Sequence, residues 1–306
     1  MSSAPPPVRP SLARRALAAA LIVILALLAG CERRAQEEPA PAAPSAALRI
    51  TDGHGATTLL DTRIAPGQSM MRGLRGAAQV RTEYGGGFVA EMFGRVSDAG
   101  AQRDWFVFVN GILSPVGARQ VRLADGDAVW WDFREWGALS DAWAVVGDWP
   151  APFTRPAPRV HADPPLAESL AAAGAEVVDD PGAPWRVRVG ASEDLAGSDP
   201  AWARAVADPH LAGLTMRISG GDVESLDPAE GTWHAVPGAR ALVAAVPTGD
   251  FPEDGVAMFV AGLDAGSARA AADAIAGDPA LLLGAYALAF DGEGAVLAAG
   301  GRAGDG

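Results

Sequence analysis

The chain contains a single cysteine, Cys31, among its 306 residues. A lone thiol cannot form an internal disulfide, and it excludes zinc sites that need three or four thiolate ligands. The folded part of the chain must therefore be stabilised by apolar burial, and a hydrophobic content of 49% is sufficient for that. The length allows one large domain or two domains of ordinary size.

Cys31 follows an uncharged apolar run over residues 16–30, which comes after Arg9, Arg14 and Arg15. A run of about 15 residues is shorter than the roughly 20 that a helix needs to cross the hydrocarbon core. Basic residues followed by a short apolar run are typical of a secretory signal peptide. We therefore predict that residues 1–30 are a signal peptide.

The run ends in Leu28, Ala29, Gly30 and Cys31, and these four residues resemble the lipobox of bacterial lipoproteins. The resemblance implies that the Cys31 thiol receives a diacylglyceryl group and that Cys31 becomes the mature N-terminus. Acyl chains hold a protein on a membrane because each buried methylene contributes about 0.8 kcal/mol. The expected location is the extracytoplasmic face of a bacterial membrane, with the membrane as a partner. The alternative is an uncleaved anchor with an incidental cysteine.

The composition excludes several classes of function. All 24 basic residues are arginine, so the chain has no lysine for a Walker-type phosphate loop, a Schiff base or a Ser-Lys dyad. The formal net charge of −13 argues against nucleic acid as a partner, because neutralising phosphates needs clustered cations.

The sequence predicts two folded domains after a disordered tether. Residues 31–47 are rich in Ala, Pro and Ser without apolar periodicity, which indicates a tether. Residues 48–149 contain short alternating segments around one helix at 68–78, in the order β-β-α-β-β-β. The predicted strands of this domain cover residues 47–51, 57–64, 80–84, 88–93, 105–109, 121–123 and 128–133. This order is typical of a small sheet that grasps one helix.

Four short motifs follow one another in the first domain: Pro66-Gly67-Gln68-Ser69, Gly86-Gly87-Phe88-Val89, Trp105-Phe106-Val107-Phe108-Val109-Asn110-Gly111, and Asp125-Gly126-Asp127 before Val129-Trp130-Trp131. Together they resemble the C-terminal domain of transcobalamin-like proteins, which belongs to the soluble-ligand-binding β-grasp group. Bacterial members are often surface lipoproteins, some of them associated with vitamin uptake. The resemblance covers about 100 residues and implies a β-grasp fold that binds a soluble cofactor such as a corrinoid.

Six of the nine tryptophans lie between Trp105 and Trp149. Such a density indicates either packing in a core or domain junction, or an aromatic surface that stacks on a planar ligand. Under the second interpretation, the candidate ligand-binding residues are Trp105, Asn110, Trp130, Trp136 and Trp143. For Asn110, which precedes Gly111, the alternative is a simple hairpin turn.

Strand alternation divides residues 129–134 between two faces of a sheet. Val129, Trp131 and Phe133 share one face, and Trp130, Asp132 and Arg134 share the other. We therefore expect one tryptophan of the pair Trp130-Trp131 in the core and its neighbour facing outward or at a domain junction.

Prolines between residues 150 and 165 indicate a linker, and residues 156–300 then alternate strands and helices as a mixed α/β domain of unknown role. The apolar segments 241–246 and 256–261 are expected to be covered on both faces. His161, His210 and His234 are scattered singly, so no metal site is predicted. No G-x-S-x-G motif or other catalytic constellation is found, so the protein is not expected to be an enzyme.

The sequence thus predicts an α+β protein with a β-grasp domain followed by a mixed α/β domain. Its expected function is that of a lipid-anchored extracytoplasmic binding protein for a soluble cofactor such as a corrinoid, with an uptake transporter as a partner. The alternative function is an envelope lipoprotein that docks on other proteins and binds no small molecule.

Overall fold

The computed structural model describes residues 43–300. The predicted signal peptide, the lipobox residues Leu28, Ala29 and Gly30, and Cys31 lie outside the described residues. Residues 44–300 belong to one compact unit. None of the helices within residues 43–300 is long and apolar enough to cross a membrane.

The first half of the described chain is built from eight strands and one helix. These are β1 (Ala46–Asp52), β2 (Thr57–Ile64), α1 (Met70–Ala77), β3 (Val80–Glu83), β4 (Phe88–Met92), β5 (Arg95–Val96), β6 (Arg103–Val109), β7 (Ile112–Leu113) and β8 (Ala128–Glu135). The five-stranded sheet has the order β2-β1-β8-β6-β7, in which β1 and β8 are parallel. Strands β3, β4 and β5 form a separate antiparallel sheet. This mixed arrangement confirms the predicted α+β class.

Helix α1 begins at Ser69, whose side-chain oxygen accepts a hydrogen bond of 3.3 Å from the backbone N–H of Arg72. Such a cap satisfies one of the free N–H groups of the first turn. The apolar side of α1, which includes Met70 and Leu74, packs against one face of the five-stranded sheet. The helix predicted at 68–78 is therefore confirmed, and it covers the face that carries Trp131.

Two local predictions for this half are wrong. Residues 121–123 do not form a strand, because Arg122 makes only an isolated bridge with Ser69. The predicted tether is also too long at its C-terminal end, since β1 begins at Ala46 and Ala46 is completely buried. In both cases packing against neighbouring elements decides the conformation of a short segment with little local periodicity.

The second half contains the remaining strands and α-helices. These are α2 (Ala151–Thr154), β9 (Arg159–Ala162), α3 (Leu166–Ala172), β10 (Glu176–Val177), β11 (Trp185–Ala191), α4 (Ser192–Ser198), α5 (Pro200–Ala207), β12 (Met216–Ser219), β13 (Asp222–Asp227), β14 (Thr232–Ala235), β15 (Ala241–Pro247), β16 (Val256–Gly262), α6 (Ala265–Gly277), β17 (Leu288–Phe290) and β18 (Val296–Ala299). A seven-stranded sheet has the order β10-β9-β11-β16-β15-β17-β18. Strands β12, β13 and β14 form an antiparallel sheet of their own.

The central strands β15 and β16 are buried on both faces, as their apolar sequences predict. Along β15, Val243 belongs to the core under α3 and α6, whereas its neighbours Leu242 and Ala244 belong to the core under α4 and α5. Alternation thus divides one continuous apolar strand between two cores.

The proline-rich segment that was predicted to be a linker is folded into the second half. It contains α2 and β9, and both Phe153 and Val160 are buried in the core of the seven-stranded sheet. The boundaries at residues 149 and 156 stay a prediction. The two halves share a buried cluster that includes Phe108 and Trp130 from one side and Leu226 and Tyr286 from the other.

Candidate functional site

A buried polar network lies where the two halves meet, and its centre is the carboxyl group of Asp132 on β8. Oδ2 accepts a hydrogen bond of 2.9 Å from the hydroxyl of Tyr286, and Oδ1 accepts one of 2.5 Å from Thr51 and one of 3.2 Å from the backbone N–H of Gly55. Burial raises the pKa of Asp132 although these hydrogen bonds oppose the shift. The carboxyl thus connects three distant parts of the chain.

Trp130 belongs to this network and has no exposed surface. Its indole N–H donates a hydrogen bond of 2.7 Å to Thr51 Oγ1, and its ring lies edge-on to that of Tyr286 at 5.2 Å between centroids. Trp131, on the opposite face of β8, packs under α1. The alternation expected for these two tryptophans is confirmed, with Trp130 at the junction and Trp131 in the core.

Arg134 and His54 complete the network. The Arg134 guanidinium lies 3.7 Å from the centre of the Phe106 ring and donates hydrogen bonds to the carbonyls of Leu139 and Ser140. Burial, followed by the positive charge of Arg134, lowers the pKa of His54 well below its ordinary value. His54 is therefore neutral near pH 7. Because the hydrogen bonds to the Asp132 carboxyl are buried and come from both halves, this network joins the two halves.

Trp105 and Asn110 are also held by internal contacts. The Trp105 indole N–H donates a hydrogen bond of 3.2 Å to the carbonyl of Arg95, and only 7% of the residue is exposed. Asn110 Nδ2 donates to Asp127, and Asn110 Oδ1 accepts from the N–H of Ala128 at 2.9 Å. Asn110 lies in the turn that joins β6 to β7, and these hydrogen bonds tie the turn to the start of β8.

Trp136 and Trp143 are both half-buried, but only Trp143 of these two lines a cleft. Trp143 lines a cleft of about 290 Å³, which is called the Trp143 cleft below; Trp105, Trp130 and Trp136 do not line it. Its lining also includes Ala201, Arg204 and Ala205 on α5, Asp208, Val246 on β15, and Asp250. The structure thus brings one of the predicted candidates to a cleft.

The walls of the Trp143 cleft are held in place by hydrogen bonds. The Trp143 indole N–H donates a hydrogen bond of 3.3 Å to the carbonyl of Leu211. The N–H of Leu211 in turn donates one of 3.0 Å to Asp208 Oδ1. Across the cleft, Arg204 Nη2 donates a hydrogen bond of 2.9 Å to the carbonyl of Thr248. An indole, buried apolar side chains and a few charged groups are the usual lining of a small-molecule pocket.

A group of metal-binding residue types lies at the turn between β13 and β14. Ligand atoms of Asp227, Glu230 and His234 all lie within 4.8 Å of one another. The backbone N–H groups of Ala229 and Glu230 donate to Asp227 Oδ1 at 2.8 and 3.1 Å, which shapes the turn. The structure thus places His234, which was predicted to be isolated, beside two carboxylates. The sequence feature that indicates this group is the spacing of two carboxylates and a histidine across a tight turn between two strands.

Similarity to known proteins covers part of the chain. A family described as a domain of unknown function, DUF4430, matches residues 67–135, from just before α1 to the end of β8. One similar solved structure is that of a "putative metal binding protein" from Ruminococcus gnavus, with 16% identity and a TM-score of 0.26. The similarity covers 30% of this chain and 98% of that one. No curated protein matches the chain significantly.

Proposed function

We propose that this is a lipid-anchored extracytoplasmic binding protein that holds a small soluble ligand in the Trp143 cleft. The observation that carries the proposal is the cleft itself, in which Trp143 faces side chains of α5 and β15. Its volume of about 290 Å³ lies at the lower end of the range for small-molecule pockets. Resemblance to transcobalamin-like proteins and to the lipobox supports the class of function and the location.

The lining of the cleft favours a compact planar ligand. An indole ring offers a large apolar contact at low cost in rotamer entropy, and Ala201, Ala205 and Val246 form an apolar floor. Arg204 and Asp208 offer polar contacts at the edge. A corrinoid is the finer candidate that the resemblance suggests, whereas the volume favours a smaller planar cofactor.

Tryptophan fluorescence tests this function. The full chain in detergent is titrated with a corrinoid and with a panel of smaller planar cofactors, and the same titration is made with W143F and with the control W136F. We expect quenching by at least one compound that W143F loses and W136F keeps. Unchanged emission of the wild type across the whole panel would contradict the proposal and favour the alternative function of docking on other envelope proteins.

A second candidate function is binding of a divalent cation by Asp227, Glu230 and His234. Two carboxylates and an imidazole suit Zn²⁺ and related transition metals. Calorimetric titration of the full chain with Zn²⁺ is expected to show one site that H234A weakens at least tenfold and the control H210A leaves unchanged. Equal binding by the wild type and H234A would exclude this group as the ligand set.

A further inference from the structure

We infer that a second cavity, between α1 and the turn Tyr84–Gly86, binds the phosphate group of a small phosphate monoester. The cavity has a volume of about 480 Å³. Three arginines line it, Arg72 and Arg75 on α1 and Arg119 on the loop before β8. It lies within the segment 67–135 and shares no lining residue with the Trp143 cleft.

The charge of the cavity is the first argument. No carboxylate is among its lining residues, and in the described part of the chain none of the three arginines forms an ion pair. By contrast, some arginines of this acidic protein are paired, as Arg81 is with Glu83 and Glu91. Three unpaired guanidinium groups around one cavity repel one another, and an anion between them removes that repulsion.

Geometry is the second argument. Arg75 Nη2 donates 2.7 Å to Thr82 Oγ1, and Arg119 Nη1 donates to the carbonyl of Gly85. These bonds orient both guanidinium groups and leave further N–H groups of each available, because a guanidinium has five. A Cβ atom on Gly86 would lie 3.5 Å from Arg75 Nη2 and 3.6 Å from Arg119 Nη1. Glycine at this position therefore keeps a space open between the two cations.

The N-terminus of α1 is not what would hold the anion. The backbone N–H of Met70 donates to the carbonyl of Val121, and that of Met71 donates to the carbonyl of Ala118. The N–H of Arg72 is bonded to the Ser69 side chain. Since these donors are already used, binding depends on the arginine side chains, and their removal should abolish it.

The chemistry of the side chains indicates the class of ligand. Guanidinium groups match phosphate oxygens in bidentate geometry, and the bonds are charge-assisted. Three positive charges favour a dianion over a monoanion. The volume exceeds what a bare phosphate fills, since pockets of this size hold small organic molecules. A phosphate monoester meets both conditions.

Calorimetric titration of the full chain in detergent at low ionic strength tests the inference. The probes are glycerol 3-phosphate, inorganic phosphate and, as the control, glycerophosphoglycerol, a phosphodiester that carries a single negative charge. We expect glycerol 3-phosphate to bind, and R72A, R75A and R119A each to weaken it about tenfold or more. Binding of glycerophosphoglycerol as tight as that of glycerol 3-phosphate would contradict the preference for a monoester dianion and overturn the inference.

The matched control is R63A, which removes another exposed arginine, whose guanidinium donates to the Ser45 hydroxyl. It changes the net charge by the same amount and should leave binding unchanged. Circular dichroism of all four variants checks that they are folded. The inference is overturned when no phosphate probe binds the wild type, or when R63A weakens binding as much as R75A does. The cavity shares no lining residue with the Trp143 cleft, so W143F should leave the binding of glycerol 3-phosphate unchanged.

Discussion

The hydroxyl group of Tyr286 donates a hydrogen bond of 2.9 Å to the carboxyl group of Asp132, and 154 residues separate the two along the chain. Tyr286 comes from the second half of the molecule, and Asp132 lies on the central strand β8 of the first half. Both are buried. This bond connects the two halves through the buried polar network at their junction.

Removing that bond should destabilise the whole molecule. In Y286F the buried Asp132 carboxyl loses one of its donors, and we expect the free energy of unfolding to fall by about 1 kcal/mol or more. Urea unfolding followed by circular dichroism measures it. The control is Y84F, because Tyr84 is 86% exposed. Equal stability of Y286F and Y84F would show that the bond contributes nothing.

Asp148 gives the protein a pH dependence of known sign. Removal of its carboxyl from water raises the pKa from 3.8 to about 6, although the N–H of Gly111 donates to it at 2.8 Å. Between about pH 4 and pH 6 the folded state binds more protons than the unfolded state, so this contribution to stability decreases as pH rises through that window.

The variant D148N should therefore be more stable than the wild type at pH 7, by about 1 to 3 kcal/mol, and the difference should disappear near pH 4. Urea unfolding at several pH values measures it. The control D179N changes an exposed carboxylate and should show no such pH-dependent difference. A difference between D148N and the wild type that is constant from pH 4 to pH 7 would contradict the raised pKa.

The buried ion pair between Arg186 and Asp199 should be costly to break. Burial opposes ionisation of Asp199, but two hydrogen bonds of 2.6 Å from Arg186 outweigh it and lower the pKa of Asp199. In D199N the buried guanidinium loses its counter-charge, which we expect to cost about 3 kcal/mol. The exposed pair Arg269–Asp273 provides the control, since D273N should cost less than about 0.5 kcal/mol.

Lipid attachment at Cys31 can be tested directly. Cells that express the full chain are labelled with radioactive palmitate, and we expect the wild type to be labelled and C31S to be unlabelled. Globomycin, which blocks cleavage of lipoprotein signal peptides, should increase the size of the wild-type chain. Absence of label on the wild type would contradict both the anchor and the proposed location.

Local sequence patterns were sufficient to predict many of the elements. The alternation in residues 128–135 places Trp130 and Trp131 on opposite faces, and the apolar runs at β15 and β16 indicate strands covered on both sides. Such patterns repeat within a few residues, so they are visible without knowledge of the fold. The prediction failed at 121–123 and in the proline-rich segment, where contacts with distant elements decide the conformation.

The candidate sites were predicted less well. Trp143 was among the predicted ligand-binding residues and lines a cleft, whereas Trp105 and Trp130 pack inside the protein. Residue type alone cannot separate a tryptophan of the core from one of a pocket, because both uses exploit the same apolar ring. The groups around His234 and around Arg119 were not predicted, since their chemistry depends on neighbours brought together by turns.

The sequence by itself determined the periodic elements, the absence of lysine and of a second cysteine, and the α+β class. Only the tertiary structure decided that Tyr286 reaches Asp132, that α5 and β15 face Trp143, and that Arg119 joins Arg72 and Arg75 around one cavity. The physical reason is the sequence separation over which the interactions act. Periodicity and turn chemistry act between near neighbours, whereas a site is formed by side chains that become neighbours only when distant segments bury their apolar surfaces against one another.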